Sequence, residues 1–350
     1  MAHRLGHRRK NLKKGIQFTI MTVGPSGLGR TTFINTLCGK KVAEAQPSEF
    51  HEEGKVRLRP SQVELEEDGL KIALTVVDTP GFGDSIDNSS AFKEVLGYVE
   101  KHYDDVLAEE SRIKRNPKFK DNRVHALLYF ITPTGHSLRQ LDVEFMRQLS
   151  PRVNVIPVIG KADSFTRQEL LEFKKRVMED IEYYNIPIYN FPYDIEEDDD
   201  ETVEENTELR GLLPFAIIGG EDELNGIRVR QYPWGVVEVD NTDHCDLAKL
   251  RYALLSSHLN DLKEITHDFL YENYRTEKLS GGAEEEDEED DYSQDEDDEA
   301  AKIRIREEAL KAEEDKLREK EARVQREISE RRTDLLAKEG ALRTLESRLT

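Results

Sequence analysis

The sequence predicts an α/β domain, a mainly parallel sheet covered on both faces by helices, with a charged helical tail appended. Three observations predict it. Short apolar runs of strand length alternate with amphipathic helical stretches, a glycine-rich turn joins the first strand to the first helix, and beyond Leu279 the composition turns acidic and then heptad-like.

The first element is Ile16–Val23, where apolar and polar residues alternate before a glycine-rich turn and a short helix over 31–38. Buried-strand patterns recur at 71–77, 124–131, 153–159, 186–191 and 215–218. Helices are expected over 137–149 and 166–184, the second opened by Thr166 with Glu169 three residues on, the spacing of a capping box. A long amphipathic helix over 246–277 closes the globular part. The organisation read from these shifts is a basic arm (1–14), a globular domain (15–279), an acidic disordered linker (280–302) and a coiled coil (303–350).

Charge is unevenly spread. Residues 284–299 hold 13 acidic side chains and no basic one, so more than half of the net charge of −22 belongs to that run and says little about the partners of the globular domain. The first 43 residues lack Asp and Glu, and Arg4, Arg8, Arg9, Lys10, Lys13 and Lys14 cluster ahead of the first strand. Two cysteines, Cys38 and Cys245, exclude a disulfide framework and fit a reducing compartment. No apolar run approaches a membrane span and no signal peptide opens the chain, so a soluble intracellular protein is expected.

Chemistry concentrates at three places. Gly24-Pro25-Ser26-Gly27-Leu28-Gly29-Arg30-Thr31 follows the first strand, where backbone N–H groups can wrap a pyrophosphate at a helix N-terminus and Thr31 can place a hydroxyl on Mg²⁺. Asp78-Thr79-Pro80-Gly81 ends a later strand, setting a carboxylate near the metal and a glycine N–H near a γ-phosphate. Lys161-Ala162-Asp163 ends another, where a carboxylate can accept two hydrogen bonds from guanine. Each alone reads as an ordinary turn or surface charge. All three in this order, each at the carboxyl end of a strand, predict guanine-nucleotide binding in an open α/β sheet.

Other groupings carry less. Asp243, His244, Cys245 and Asp246 are adjacent and lack metal-ligand spacing, so they read as a loop before a helix. His258 and His267 fall on the last long helix, where packing or solvent contact is expected.

With these residues in place, the sequence resembles the septins, from about residue 15 to 279. The likeness is carried by Asp78-Thr79-Pro80-Gly81-Phe82-Gly83-Asp84, by Pro133-Thr134-Gly135-His136 leading to Leu141-Asp142, and most specifically by Tyr232-Pro233-Trp234-Gly235-Val236-Val237-Glu238. The details look most like the fungal septin that caps the rod-shaped hetero-oligomer. The resemblance implies a P-loop GTPase fold with a septin-specific C-terminal element, and GTP or GDP with Mg²⁺ on Thr31 and Asp78. It implies a nucleotide set of Gly24, Ser26, Gly27, Gly29, Arg30, Thr31, Thr32, Asp78, Gly81, Lys161, Asp163, Gly219 and Arg230, with Lys161 and Asp163 holding the base and Arg230 packed on it. His136 would reach a neighbour's nucleotide and Trp234 would lie in the subunit contact beside the nucleotide, the G interface; a second contact is the NC interface. The implied setting is cytokinesis and morphogenesis at a cortical septin ring.

Three departures from the family pattern matter. Arg30 stands where a P-loop lysine is expected, and a planar guanidinium is not the compact charge that sits between β- and γ-phosphates. Lys55 falls at the switch position that is Thr in hydrolytically competent septins, and Gly160 replaces the usual Ala. The expectation is negligible hydrolysis with weak or absent nucleotide binding; the alternative is a slow GTPase switch controlling assembly.

Arg8, Arg9, Lys10, Lys13 and Lys14 read as a contact for anionic lipid or as a solvated tail, and the resemblance favours phosphoinositide membrane. Nucleic acid is not expected of an acidic chain without a recognition fold. In the tail, Ile303, Leu310, Leu317 and Val324 recur every seven residues, and after a step of four the repeat continues through Ile328, Leu335, Leu342 and Leu349. The complementary seam holds Glu307, Glu314 and Glu321, then Arg331, Lys338 and Leu345. An antiparallel pair centred on Arg326 sets Glu314 against Lys338 and Glu321 against Arg331, whereas a parallel homodimer stacks each Glu on its own copy. A solvated single helix and a parallel coil with another septin's tail remain the alternatives.

Overall fold

The computed structural model describes residues 15–43, 58–67, 69–80, 82–83, 88–114, 116, 119–194, 199–220, 222–224 and 226–281. Outside them lie Arg8, Arg9, Lys10, Lys13 and Lys14 of the arm, Lys55, Gly81, and the linker and tail with Leu310, Leu317, Val324, Ile328, Leu335 and Leu342.

In chain order the elements are β1 (Ile16–Val23), α1 (Arg30–Cys38), β2 (Arg59–Glu67), β3 (Leu70–Asp78), α2 (Ser89–Glu110), β4 (Ala126–Ile131), α3 (Gln140–Leu149), β5 (Asn154–Gly160), α4 (Arg167–Tyr183), α5 (Asp200–Leu212) and β6 (Phe215–Ile217). They build one six-stranded sheet in the order β2-β3-β1-β4-β5-β6. β3, β1, β4, β5 and β6 run parallel, and β2 lies antiparallel on the β3 edge.

Side-chain alternation explains why these runs are strands buried on both sides. Along β4, Ala126, Leu128 and Phe130 enter one core while Leu127, Tyr129 and Ile131 enter the other. β5 divides the same way, with Ile156 and Val158 opposite Val155 and Ile159. Phe33, Ile34 and Leu37 of α1 cover the first face, and Val95 and Val99 of α2, Phe145 and Met146 of α3, and Phe173 and Val177 of α4 cover the second. Each large apolar side chain so buried contributes about 1.5–3 kcal/mol. The fully buried tyrosines keep their hydroxyls satisfied: Tyr103 donates to the Arg152 carbonyl at 2.6 Å and Tyr129 to Asp142 Oδ1 at 2.6 Å. The capping box expected at Thr166 opens α4, with the Glu169 carboxylate accepting from the Thr166 N–H at 2.9 Å.

Two expectations fail, each for a backbone reason. Residues 186–191 form no strand: Tyr189 N–H reaches the Val155 carbonyl at 2.8 Å, Pro187 and Pro192, with no N–H to give, frame the segment, and Phe191 takes a positive φ of 40°. The helix expected over 246–277 is segmented into α6 (Leu247–Tyr252), a π-helical turn (Ala253–Ser257), α7 (Leu259–Ile265), a second π-helical turn (Thr266–Tyr271) and α8 (Glu272–Gly281). Each π turn holds an extra residue and rotates the apolar face, so Leu250, Leu254 and Leu262 pack in the first core but Tyr271 and Tyr274 in the second.

A separate antiparallel sheet of β7 (Asp222–Leu224), β8 (Ile227–Tyr232) and β9 (Gly235–Glu238) precedes the C-terminal helices. No helix among the described residues is long and apolar enough to cross a membrane.

Candidate functional site

The loop from β1 to α1 is the hub of the site. Gly24 must be glycine because a Cβ there would lie 2.7 Å from both the Cβ and the carbonyl oxygen of Phe130 on β4. Gly27 and Gly29 take φ of 80° and 83°, the left-handed region that turns successive N–H groups inward at a helix start. Ser26 is exposed at the tip, and Gly29 is the N-cap of α1, with its carbonyl accepting from Phe33 N–H at 2.8 Å.

Arg30 begins α1, and its side chain, 7% exposed, folds onto the end of β3. Nη1 donates to the Thr79 carbonyl oxygen at 2.7 Å and to Thr79 Oγ1 at 3.1 Å, while Nε lies 3.9 Å from Asp78 Oδ1. The cation is thus engaged by the segment that follows the sheet strand. Thr31 Oγ1 sits 3.5 Å from Asp78 Oδ2, the placement expected of a hydroxyl and a carboxylate sharing a hard cation. Asp78 is further held by Thr22 Oγ1 at 3.3 Å and by the Thr79 N–H at 3.0 Å.

The Lys161-Ala162-Asp163 segment is seated against the same loop. A Cβ on Gly160 would lie 2.8 Å from the Leu28 carbonyl and 3.2 Å from Phe130 Cδ1, so glycine lets β5 approach the loop more closely than alanine would. Lys161 follows with a left-handed backbone, φ 52° and ψ 47°, which turns the chain into the short 3₁₀ turn carrying Asp163. Gly219, just past β6, packs on Thr32: a Cβ there would meet Thr32 Cγ2 at 2.8 Å. The described members of the three sequence motifs therefore stand together at the carboxyl edge of the sheet, with Gly219 beside them.

Sequence reasoning missed what covers Asp163. Its side chain is 4% exposed, the Arg230 guanidinium lies 3.4 Å from Oδ2, and the Tyr232 hydroxyl donates to that same oxygen. Burial, followed by the bond to the Asp163 carboxylate, pushes the Tyr232 phenol up to about 12. Tyr232 also stacks on Trp234, with centroids 5.0 Å apart and planes 13° from parallel, and Trp234 is 82% exposed. His136 is exposed on the loop after β4, where Gly135 lies beside the Phe165 ring. The signal for Tyr232 was its place in the Tyr-Pro-Trp-Gly run, but only the pairing of β8 with β9 turns that run toward Asp163.

Two arginines from far along the chain cap the other end of α1. Arg228 Nη1 donates to the Thr36 carbonyl at 2.6 Å and Arg251 Nε to the Leu37 carbonyl at 3.1 Å, placing cations at the negative end of the helix.

Asp246, Cys245, His258 and His267 all make contacts within the fold. Asp246 Oδ2 accepts from Lys174 Nζ and from the Ala216 N–H, both at 2.7 Å, and Cys245 Sγ takes the Ile218 N–H at 3.1 Å. Among the described residues no three of His, Cys, Asp and Glu are grouped as metal ligands. His258 is buried between Tyr189 and Asn206, and His267 Nδ1 lies 3.1 Å from Arg123 Nη1.

Comparison with known proteins gives a consistent result. A family profile described as Septin matches residues 14–288. The protein named Septin homolog spn3 of Schizosaccharomyces pombe is 50% identical over 350 residues, 97% of this chain and 92% of that protein. Cell division control protein 11 of Saccharomyces cerevisiae is 55% identical over 286 residues, 78% of this chain and 69% of that one. The crystal structure of Cdc11 from Saccharomyces cerevisiae superposes with a TM-score of 0.53 at 46% identity, covering 75% of this chain and 99% of that structure.

Proposed function

The chain belongs to the septin family, and from that premise we propose that it is a scaffold subunit of hetero-oligomeric septin rods and filaments whose own site hydrolyses GTP negligibly and holds guanine nucleotide weakly or not at all. The septin fold is a guanine-nucleotide-binding fold, and the backbone cradle fits a diphosphate: Gly27 and Gly29 have the required φ, and Thr31 and Asp78 are the pair that would hold Mg²⁺. Bound there, the metal would neutralise phosphate charge. The side chains supply less. Arg30, the one loop residue able to bring positive charge to the phosphates, is bonded to Thr79 and leans toward Asp78, and this observation carries the reading.

The experiment is nucleotide release by denaturation, identification by chromatography, and a single-turnover GTP assay beside a septin carrying both the P-loop Lys and the switch Thr. Little or no bound nucleotide and no measurable turnover are expected. Turnover matching the comparison septin would favour the alternative, a slow GTPase switch controlling filament assembly, for which the Thr31–Asp78 pair is the supporting geometry.

The partners proposed are other septins through the G interface, where Trp234 and His136 stand exposed, and through the NC interface. The basic arm is proposed to meet phosphoinositide membrane; removing the charges of Arg4, Arg8, Arg9, Lys10, Lys13 and Lys14 should abolish pelleting with phosphoinositide liposomes, and unchanged pelleting would remove that contact. The site of action is the cortical ring at the division site, in keeping with the cell-division name of the Saccharomyces cerevisiae relative.

A further inference from the structure

β8 presents its residues alternately. Val229 is buried on one side, while Arg228, Arg230 and Tyr232 share the other, half-buried, at the two-residue period of a strand. Down that face Arg228 holds the end of α1, Arg230 approaches Asp163, and Tyr232 donates to Asp163 while carrying the Arg230 guanidinium 5.1 Å from its ring centre. Beyond Tyr232 lies Trp234, stacked on it and exposed.

We propose that Tyr232 is an internal competitor for guanine, a specificity-determining residue whose hydroxyl holds the base-reading oxygen of Asp163 until a guanine edge displaces it. This rests on the reading of Asp163 as the base carboxylate. A guanine edge brings two donors, N1–H and the N2 amine, and needs a carboxylate with acceptor directions open toward the pocket. Asp163 offers about four such directions, and Oδ2 already takes a phenol and faces a guanidinium. Adenine brings no such donor pair, so it cannot repay the lost phenol bond. Because Tyr232 stacks directly on Trp234, its departure also unseats the exposed indole, so base binding and the resting position of the interface tryptophan exclude each other.

Tyr232→Phe tests this, since it keeps the ring and its stack and removes only the competing donor. Calorimetric titration of the full chain with GDP should give about tenfold tighter binding to the variant than to the wild type, the size expected for removing one hydrogen bond to a charged acceptor. Trp234 is the single tryptophan of the chain, so its emission reports the stack alone. GDP should change the wild-type emission and ADP should not. Measurable but equal or weaker GDP binding by Tyr232→Phe overturns the competition while leaving the nucleotide reading intact, as does an emission that ignores bound GDP. Binding to neither protein at millimolar GDP removes the competition together with the reading of Asp163 as the base carboxylate, and agrees with a scaffold subunit that holds no nucleotide. A matching thermal midpoint for variant and wild type establishes that the fold is unchanged.

Discussion

Arg30 Nη1 lies 2.7 Å from the carbonyl oxygen of Thr79, a bond between the first residue of the P-loop helix and the residue after Asp78, both buried. A charge that a lysine would extend toward phosphate is spent here on closing the sheet edge. Arg30→Ala leaves that carbonyl unsatisfied and should cost about 2 kcal/mol of stability. Arg30→Lys keeps one donor and the charge and should lose less than half of that in urea unfolding. The same Lys variant should retain more nucleotide through purification than the wild type.

Gly160 sets the distance between β5 and the loop. Gly160→Ala places a Cβ 2.8 Å from the Leu28 carbonyl, which is backbone and cannot swing aside as a side chain would. Overpacking of this kind costs about 1–3 kcal/mol, so thermal unfolding should move down by several degrees.

His125 is 2% exposed, stacked on Phe18, and its Nδ1 accepts the Thr19 N–H at 2.9 Å, so burial lowers its pKa from 6.5 to about 3. The folded protein therefore keeps it neutral while the unfolded chain protonates it. Stability from this group is complete above pH 6.5 and is lost as pH falls toward 3, by up to about 1.4 kcal/mol per pH unit. Urea unfolding at pH 7 and pH 5 should show a smaller loss in His125→Asn than in the wild type; an equal loss would mean that other groups carry the dependence.

Trp234 is the most exposed aromatic of the β8–β9 hairpin, and among the described residues its ring stacks on Tyr232. Trp234→Ala should leave monomer stability within about 0.5 kcal/mol yet weaken G-interface pairing by about 2 kcal/mol or more, measured by sedimentation of the paired septins.

The antiparallel tail is tested by cross-linking the variants Ile303→Cys and Leu349→Cys, mixed in one sample. The native thiols, Cys38 and Cys245, are buried. The antiparallel pair gives products joining position 303 to position 349, whereas a parallel pair gives like-to-like products.

Much of the site was legible because its motifs are local. Gly24 to Thr31, Asp78 and Lys161-Ala162-Asp163 each follow an apolar strand, and parallel strands with the right spacing bring their carboxyl ends to one edge. The capping box at Thr166 was legible for the same reason: both partners lie within one turn. The β7–β9 hairpins and the π turns were not. Leu224, Ile227 and Val236 are exposed, so no buried periodicity announces those strands, and a π turn keeps helical composition while rotating the face.

By itself the sequence determined the five parallel strands, the glycine-rich loop, the carboxylates and the substitution of Arg30, since each depends on residue type and on neighbours a few positions away; the antiparallel edge strand β2 was not read from it. Only the tertiary structure decided where Arg30 points and what sits on Asp163. Arg30 meets Thr79 across 49 positions and Tyr232 meets Asp163 across 69, and such pairings depend on how separate elements pack rather than on any local preference.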